Sequence, residues 1–82
     1  MTIAELVETG HDIAGYRVWF RGTNVRDNFW VMRLTLFGDD TTPFGPPELT
    51  LEYPDGEEEA EVASFLGSVE HWLTEHREAA AA

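Results

Sequence analysis

The chain contains no cysteine and no lysine. Without cysteine there is no disulfide to brace a small fold and no thiol to act as nucleophile or metal ligand. Small secreted domains usually depend on disulfides, so a cytoplasmic setting is expected. Serine is nearly absent as well. Ser64 and Ser68 both fall in a helical stretch, where no strained elbow would present a nucleophile. No glycine pattern has the form of a phosphate-binding loop. No segment approaches the roughly 20 apolar residues of a membrane helix. The opening "MTIAELVETGHD" has neither a basic segment nor a long apolar run, so no signal peptide is expected.

What the chain does have is apolar bulk and acid. Of 82 residues 43% are apolar, with three Trp and five Phe, which suits one folded domain over 1–82 rather than disorder. A domain this small hides only about 60–65% of its unfolded surface. Residues 79–82, all alanine, have no core role and are expected as a frayed tail. The net charge is −11, unevenly placed. Residues 1–37 hold four acids and four arginines and sum to zero. Residues 38–82 hold twelve acids and only Arg77. That half would be repelled by phosphate, so direct nucleic-acid binding is not expected and a basic protein partner is. A host with an acidic proteome would produce the same excess for solubility alone.

Periodicity supplies the elements. Thr2 precedes Glu5 at the spacing of a capping box, and Ile3, Leu6 and Val7 recur at helical spacing, which predicts a short helix over about 3–9 closed by Gly10. A strand is the rival, because Ile3, Glu5 and Val7 also alternate. "GYRVWFRG" alternates, with Tyr16, Val18 and Phe20 on one face and Arg17, Trp19 and Arg21 on the other. "TNVRDN" reads as a turn. "FWVMRLTLFG" puts Trp30, Met32, Leu34 and Leu36 on one face. After the breaker-rich "DDTTPFGPP", "ELTLEY" turns Leu49, Leu51 and Tyr53 inward. A long final helix follows, with Val62, Phe65, Leu66, Val69, Trp72, Leu73 and His76 on one stripe. The expected fold is α+β: a three-stranded antiparallel meander with a long C-terminal helix on one face and a short N-terminal helix beside it.

That α-β-β-β-α order resembles the double-stranded-RNA-binding domain in layout. The family tracks phosphates with a basic start to its second helix. Here the matching place reads Glu57-Glu58-Glu59-Ala60-Glu61, so the resemblance implies the layout and not the function. An OB-fold, which "GYRVWFRG" also suggests, needs two strands after the helix, and none follow.

Candidate sites come from residue types that exceed structural need. One or two carboxylates suffice to complement a helix N-terminus. Asp55, Glu57, Glu58, Glu59 and Glu61 exceed that, and Asp39 and Asp40 lie in the same half. This group is the expected partner-binding surface, of the kind a nucleic-acid mimic presents. The plain alternative is a solvated helix end. The open sheet face offers a second candidate interface: Arg17, Trp19, Arg21 and Arg33, with Trp19 between two arginines, as in binding hot spots. If the strands pair in order, Arg33 lies beside Glu48 or Glu52, and the same face is then salt-bridged with itself. His71 and Glu75 are four apart on the last helix, but no third ligand is evident and no metal or cofactor is expected. Ala60, Ala63, Ser64, Gly67, Ser68 and His71 form a stripe of mostly small residues that another backbone, the N-terminal helix or a second copy, could approach.

The expected function is non-enzymatic binding: an inhibitor, immunity or anti-defence type of protein that engages a basic surface of a partner protein. The alternative is a homo-oligomeric structural or adaptor protein, homodimeric in its simplest form, that uses the open sheet face or the small-residue stripe. No membrane association is expected.

Overall fold

The computed structural model describes residues 1–37 and 48–81. Helix α1 spans Ile3–Glu8 and strand β1 His11–Ile13. Strands β2, Tyr16–Arg26, and β3, Phe29–Phe37, form a long hairpin. Strand β4 spans Glu48–Glu52 and helix α2 Glu58–Ala81. The sheet is antiparallel in the order β1-β2-β3-β4. The α+β class, the meander and the two helices are as expected. Among the described residues the strand number is four rather than three, and the element order is no longer that of the double-stranded-RNA-binding layout.

The unexpected strand is β1. It pairs with β2 through His11↔Val18 and Ile13↔Tyr16. Ala14 and Gly15 join the two strands, both with positive φ (52° and 83°), the backbone twist that two-residue hairpin loops favour. Alanine is seldom found at such a φ, so "AG" carries a weaker turn signal than "NG" or "DG". The turn is held from elsewhere: the Arg77 guanidinium, from the far end of α2, donates to Ala14 O at 3.1 Å. His11 serves α1 in a similar way. Its Nε2 lies 2.8 Å from Leu6 O, one of the carbonyls that a helix end leaves without an internal partner, and its ring packs edge-on against Phe20.

Two boundaries also move. The β2–β3 hairpin runs on through Thr23 and Asn24 and turns only at Asp27-Asn28, with a register shift between Asn24 and Arg26 that leaves Val25 57% exposed. "TNVRDN" is therefore mostly strand. At the N-terminus the capping box is formed in both directions, but Gly10 does not close the helix with a left-handed residue. The C-cap is Thr9, in extended conformation. Gly10 has another use: a Cβ there would stand 3.1 Å from both the Arg17 guanidinium and the Trp19 ring.

The core lies between one sheet face and the helices. Val18, Phe20, Met32, Leu34 and Leu51 from the sheet meet Ile3 and Leu6 of α1 and Val62, Phe65, Val69 and Leu73 of α2. Met32 faces Gly22 across the ladder, and any side chain at Gly22 would meet the Met32 sulfur at 2.9 Å. Trp72 is half-buried and stacks on His76, with ring centroids 6.0 Å apart. The expected apolar stripe of α2 is thus the buried one.

Candidate functional site

The acidic group at the start of α2 sits where two helix N-termini converge. Glu5 belongs to the α1 capping box, taking a bond from Thr2 N at 3.3 Å. Glu58 reaches across from α2 and accepts from Ile3 N at 3.3 Å. Glu59 lies 3.7 Å from the Met1 amine. Asp55 accepts from Asn28 Nδ2 at 2.6 Å and so ties the β4–α2 turn to the β2–β3 turn. Part of the carboxylate excess therefore neutralises two sets of unpaired helix N–H groups instead of one. Nothing local in the sequence signals this, because Glu58 and Ile3 are 55 positions apart. Glu57 and Glu61 have no side-chain partner among the described residues, and Glu57 is exposed. Asp39 and Asp40 lie outside the described residues.

The open sheet face carries its charges in pairs. Arg17 meets Asp12 at 3.1 Å, Arg26 meets Glu52 at 3.3 Å, and Arg33 meets Glu48 at 3.4 Å, the last being one of the two partners that the strand order allows. All six side chains are more than half exposed, so each pair stabilises by about 1 kcal/mol or less. Arg21 is the exception. It stands directly opposite Arg33 in the ladder and has no carboxylate within 4 Å among the described residues. Trp19 lies on this face, opposite Thr35. It is half-buried, with the α1–β1 connection at Gly10 close against its ring.

The remaining candidates stay apart. His71 Nε2 and Glu75 Oε1 are 3.0 Å apart on the exposed side of α2. Among the described residues, no three His, Asp or Glu side chains are grouped to hold a metal. Ser68 Oγ donates to Ser64 O at 3.3 Å, a bond within the helix itself. The small-residue stripe faces outward, with open space above Gly67, so α1 is not its neighbour. No described polar side chain is buried. No described helix is long and apolar enough to cross a membrane.

Two shallow grooves flank α2. One, of about 410 Å³, lies between α2 and the edge strand β4, and is lined by Leu51, Phe65, Val69, Glu61, Ser64 and Ser68 among others. The other, of about 470 Å³, lies between α2 and β1. Pattern reading finds faces and stripes; these grooves depend on how far α2 stands from each sheet edge, which no local pattern encodes. Comparison with models of known protein families, with curated proteins and with solved structures gives no match.

Proposed function

We propose that this is a non-catalytic binding protein, of inhibitor or immunity type, which engages a basic surface of a protein partner through the acidic end where α1 and α2 begin. One observation carries the reading. The carboxylates gathered there outnumber the helix ends that use them, and Glu57 and Glu61 are left without partners among the described residues. Charge of one sign collected on one side speeds encounter with an oppositely charged surface and disfavours other partners. Replacing Glu57, Glu58, Glu59 and Glu61 by Gln keeps hydrogen-bonding oxygens for Ile3 N and removes the charge. The fold should persist, while capture of the native partner, identified from a host lysate by pull-down, should weaken steeply and fade with added salt. A partner affinity indifferent to both changes would remove the reading.

A second reading, self-association through the open sheet face, is favoured by Arg21, a cation placed against Arg33 with no carboxylate of its own among the described residues. Like charges directly opposite in a ladder are destabilising, and an anion from a partner would relieve them. In that case Trp19→Ala should lower the mass seen by light scattering without loss of helix content.

A further inference from the structure

Among the described residues, strand β4 pairs with β3 and has no other neighbour in the sheet. Tyr53 N donates to Asn28 O at 3.1 Å, which makes that opposed pair a hydrogen-bonded one. In an antiparallel ladder such pairs alternate. With Trp30 opposite Leu51 and Met32 opposite Leu49, those two pairs are the next hydrogen-bonded ones, and Glu48, Thr50 and Glu52 turn their N–H and C=O groups away from β3. No described group meets these six backbone atoms. Alongside them runs the groove under α2, with Leu51, Phe65 and Val69 as its apolar floor and Glu61 at its rim. An unpaired strand edge beside a side-chain groove is the geometry of strand addition, in which backbone bonds give affinity and alternate side chains give specificity.

We propose that β4 docks an extended peptide segment of alternating apolar and basic residues, which adds a fifth strand to the sheet. Successive side chains of an added strand point to opposite faces. One set enters the groove against Phe65 and Val69. The other set emerges on the open face beside Glu48 and Glu52, where carboxylates favour Lys or Arg. The same carboxylates disfavour a second copy of this chain. Antiparallel self-pairing centred on Thr50 would set Glu48 across from Glu52 of the other copy, twice, between molecules that each carry −11. The proposal rests on the preceding reading only for the sign of the partner's charge. The hydrogen-bonding strip is separate from Asp55 and Glu57–Glu59, and Glu61 alone reaches the groove's rim.

The test is a titration of ¹⁵N-labelled protein with an eight-residue peptide of alternating lysine and valine, at moderate salt. Amide shifts should concentrate at Glu48–Glu52 and Phe65–Val69, and the matching glutamate–valine peptide should not bind. Methylating the peptide nitrogens that face β4 should weaken binding about tenfold or more. Thr50→Pro should do the same while the protein stays folded, because the Thr50 N–H makes no bond to β3 and proline is tolerated at such edge positions. Should Thr50→Pro unfold the protein, the methylated peptide still decides. The triple change Glu57→Gln, Glu58→Gln, Glu59→Gln should leave the shift pattern on β4. Shifts confined to residues 57–61 and indifferent to peptide methylation would overturn strand docking while leaving the acidic-surface reading intact. A protein dimer joined through β4 would overturn it in favour of a second copy.

Discussion

The two sides of this sheet are protected to different degrees. On the β1 side, β1 pairs with residues 16–18, α1 sets Ile3 and Leu6 into the core beside β2, and a register shift at Asn24/Arg26 breaks the far end of the strand, while a groove lined by Val7, Trp19 and Arg21 borders the stretch between. On the β4 side there is a regular five-residue strand with outward backbone groups, guarded among the described residues by its shortness and by Glu48 and Glu52. Bulges, helices and charges are the usual means of keeping sheet edges from pairing with other chains. A molecule that spends several of them on one edge and few on the other leaves the second edge available. The carboxylates that guard β4 repel a like-charged copy and admit a cationic strand.

The largest expected effects come from removing what separates the edges. Phe65→Ala empties a side chain that is 7% exposed and forms part of the β4 groove, and should cost about 3–5 kcal/mol in urea denaturation. Leu66, one position along, is half-buried on the β1 side. Leu66→Ala should cost less, about 1–2 kcal/mol. Equal costs would mean that α2 is rotated from the described placement. Leu6→Ala should cost about 2–5 kcal/mol, since Leu6 is fully buried and anchors α1. It should also speed amide exchange in β1 and the adjoining part of β2 before it affects β4. Uniform acceleration would show that α1 does not protect that edge selectively.

A middle-sized effect is expected at the β1–β2 turn. Gly15→Ala places a Cβ at positive φ and 2.6 Å from the Arg77 guanidinium, and should destabilise by about 1–2 kcal/mol. Arg77→Met removes one hydrogen bond to a backbone carbonyl and should cost about 0.5–1.5 kcal/mol. If the two changes are combined, the total should fall short of the sum, because both act through one contact. The smallest effect is at the exposed pair Arg33–Glu48. Glu48→Gln should change stability by less than about 1 kcal/mol.

These regions also differ in how readily the sequence reveals them. Strict alternation in 16–21 and 29–36 and the 3.6-residue stripe of α2 exposed the core face, the open face and Arg33 beside Glu48 or Glu52, between which the strand register chooses Glu48. Each of those follows from a period and a strand order. Strand β1 was hidden because it is only three residues long and its turn, Ala14-Gly15, relies on Arg77 from 63 positions away for support. The partial exposure of Trp19 follows from its place on the open face, but the approach of Gly10 to its ring was hidden, because that residue's contribution is the absence of a side chain. At the acidic end, counting carboxylates against one helix N-terminus overstated the surplus, since the start of α1 folds against the start of α2 and uses Glu58. The edge of β4, unpaired among the described residues, was not legible at all. Which amides face outward is set by the phase of the ladder, which the Tyr53 N to Asn28 O bond reveals and no sequence pattern does.

Amide hydrogen exchange along β4 in the free protein tests that phase most directly. With the described pairing, Leu49 and Leu51 donate to β3 and should exchange slowly, while Glu48, Thr50 and Glu52 face solvent and should exchange at least about tenfold faster, giving a fast–slow–fast–slow–fast pattern. Uniformly slow exchange across Glu48–Glu52 would show that this edge is already covered and would contradict the difference between the two sides of the sheet.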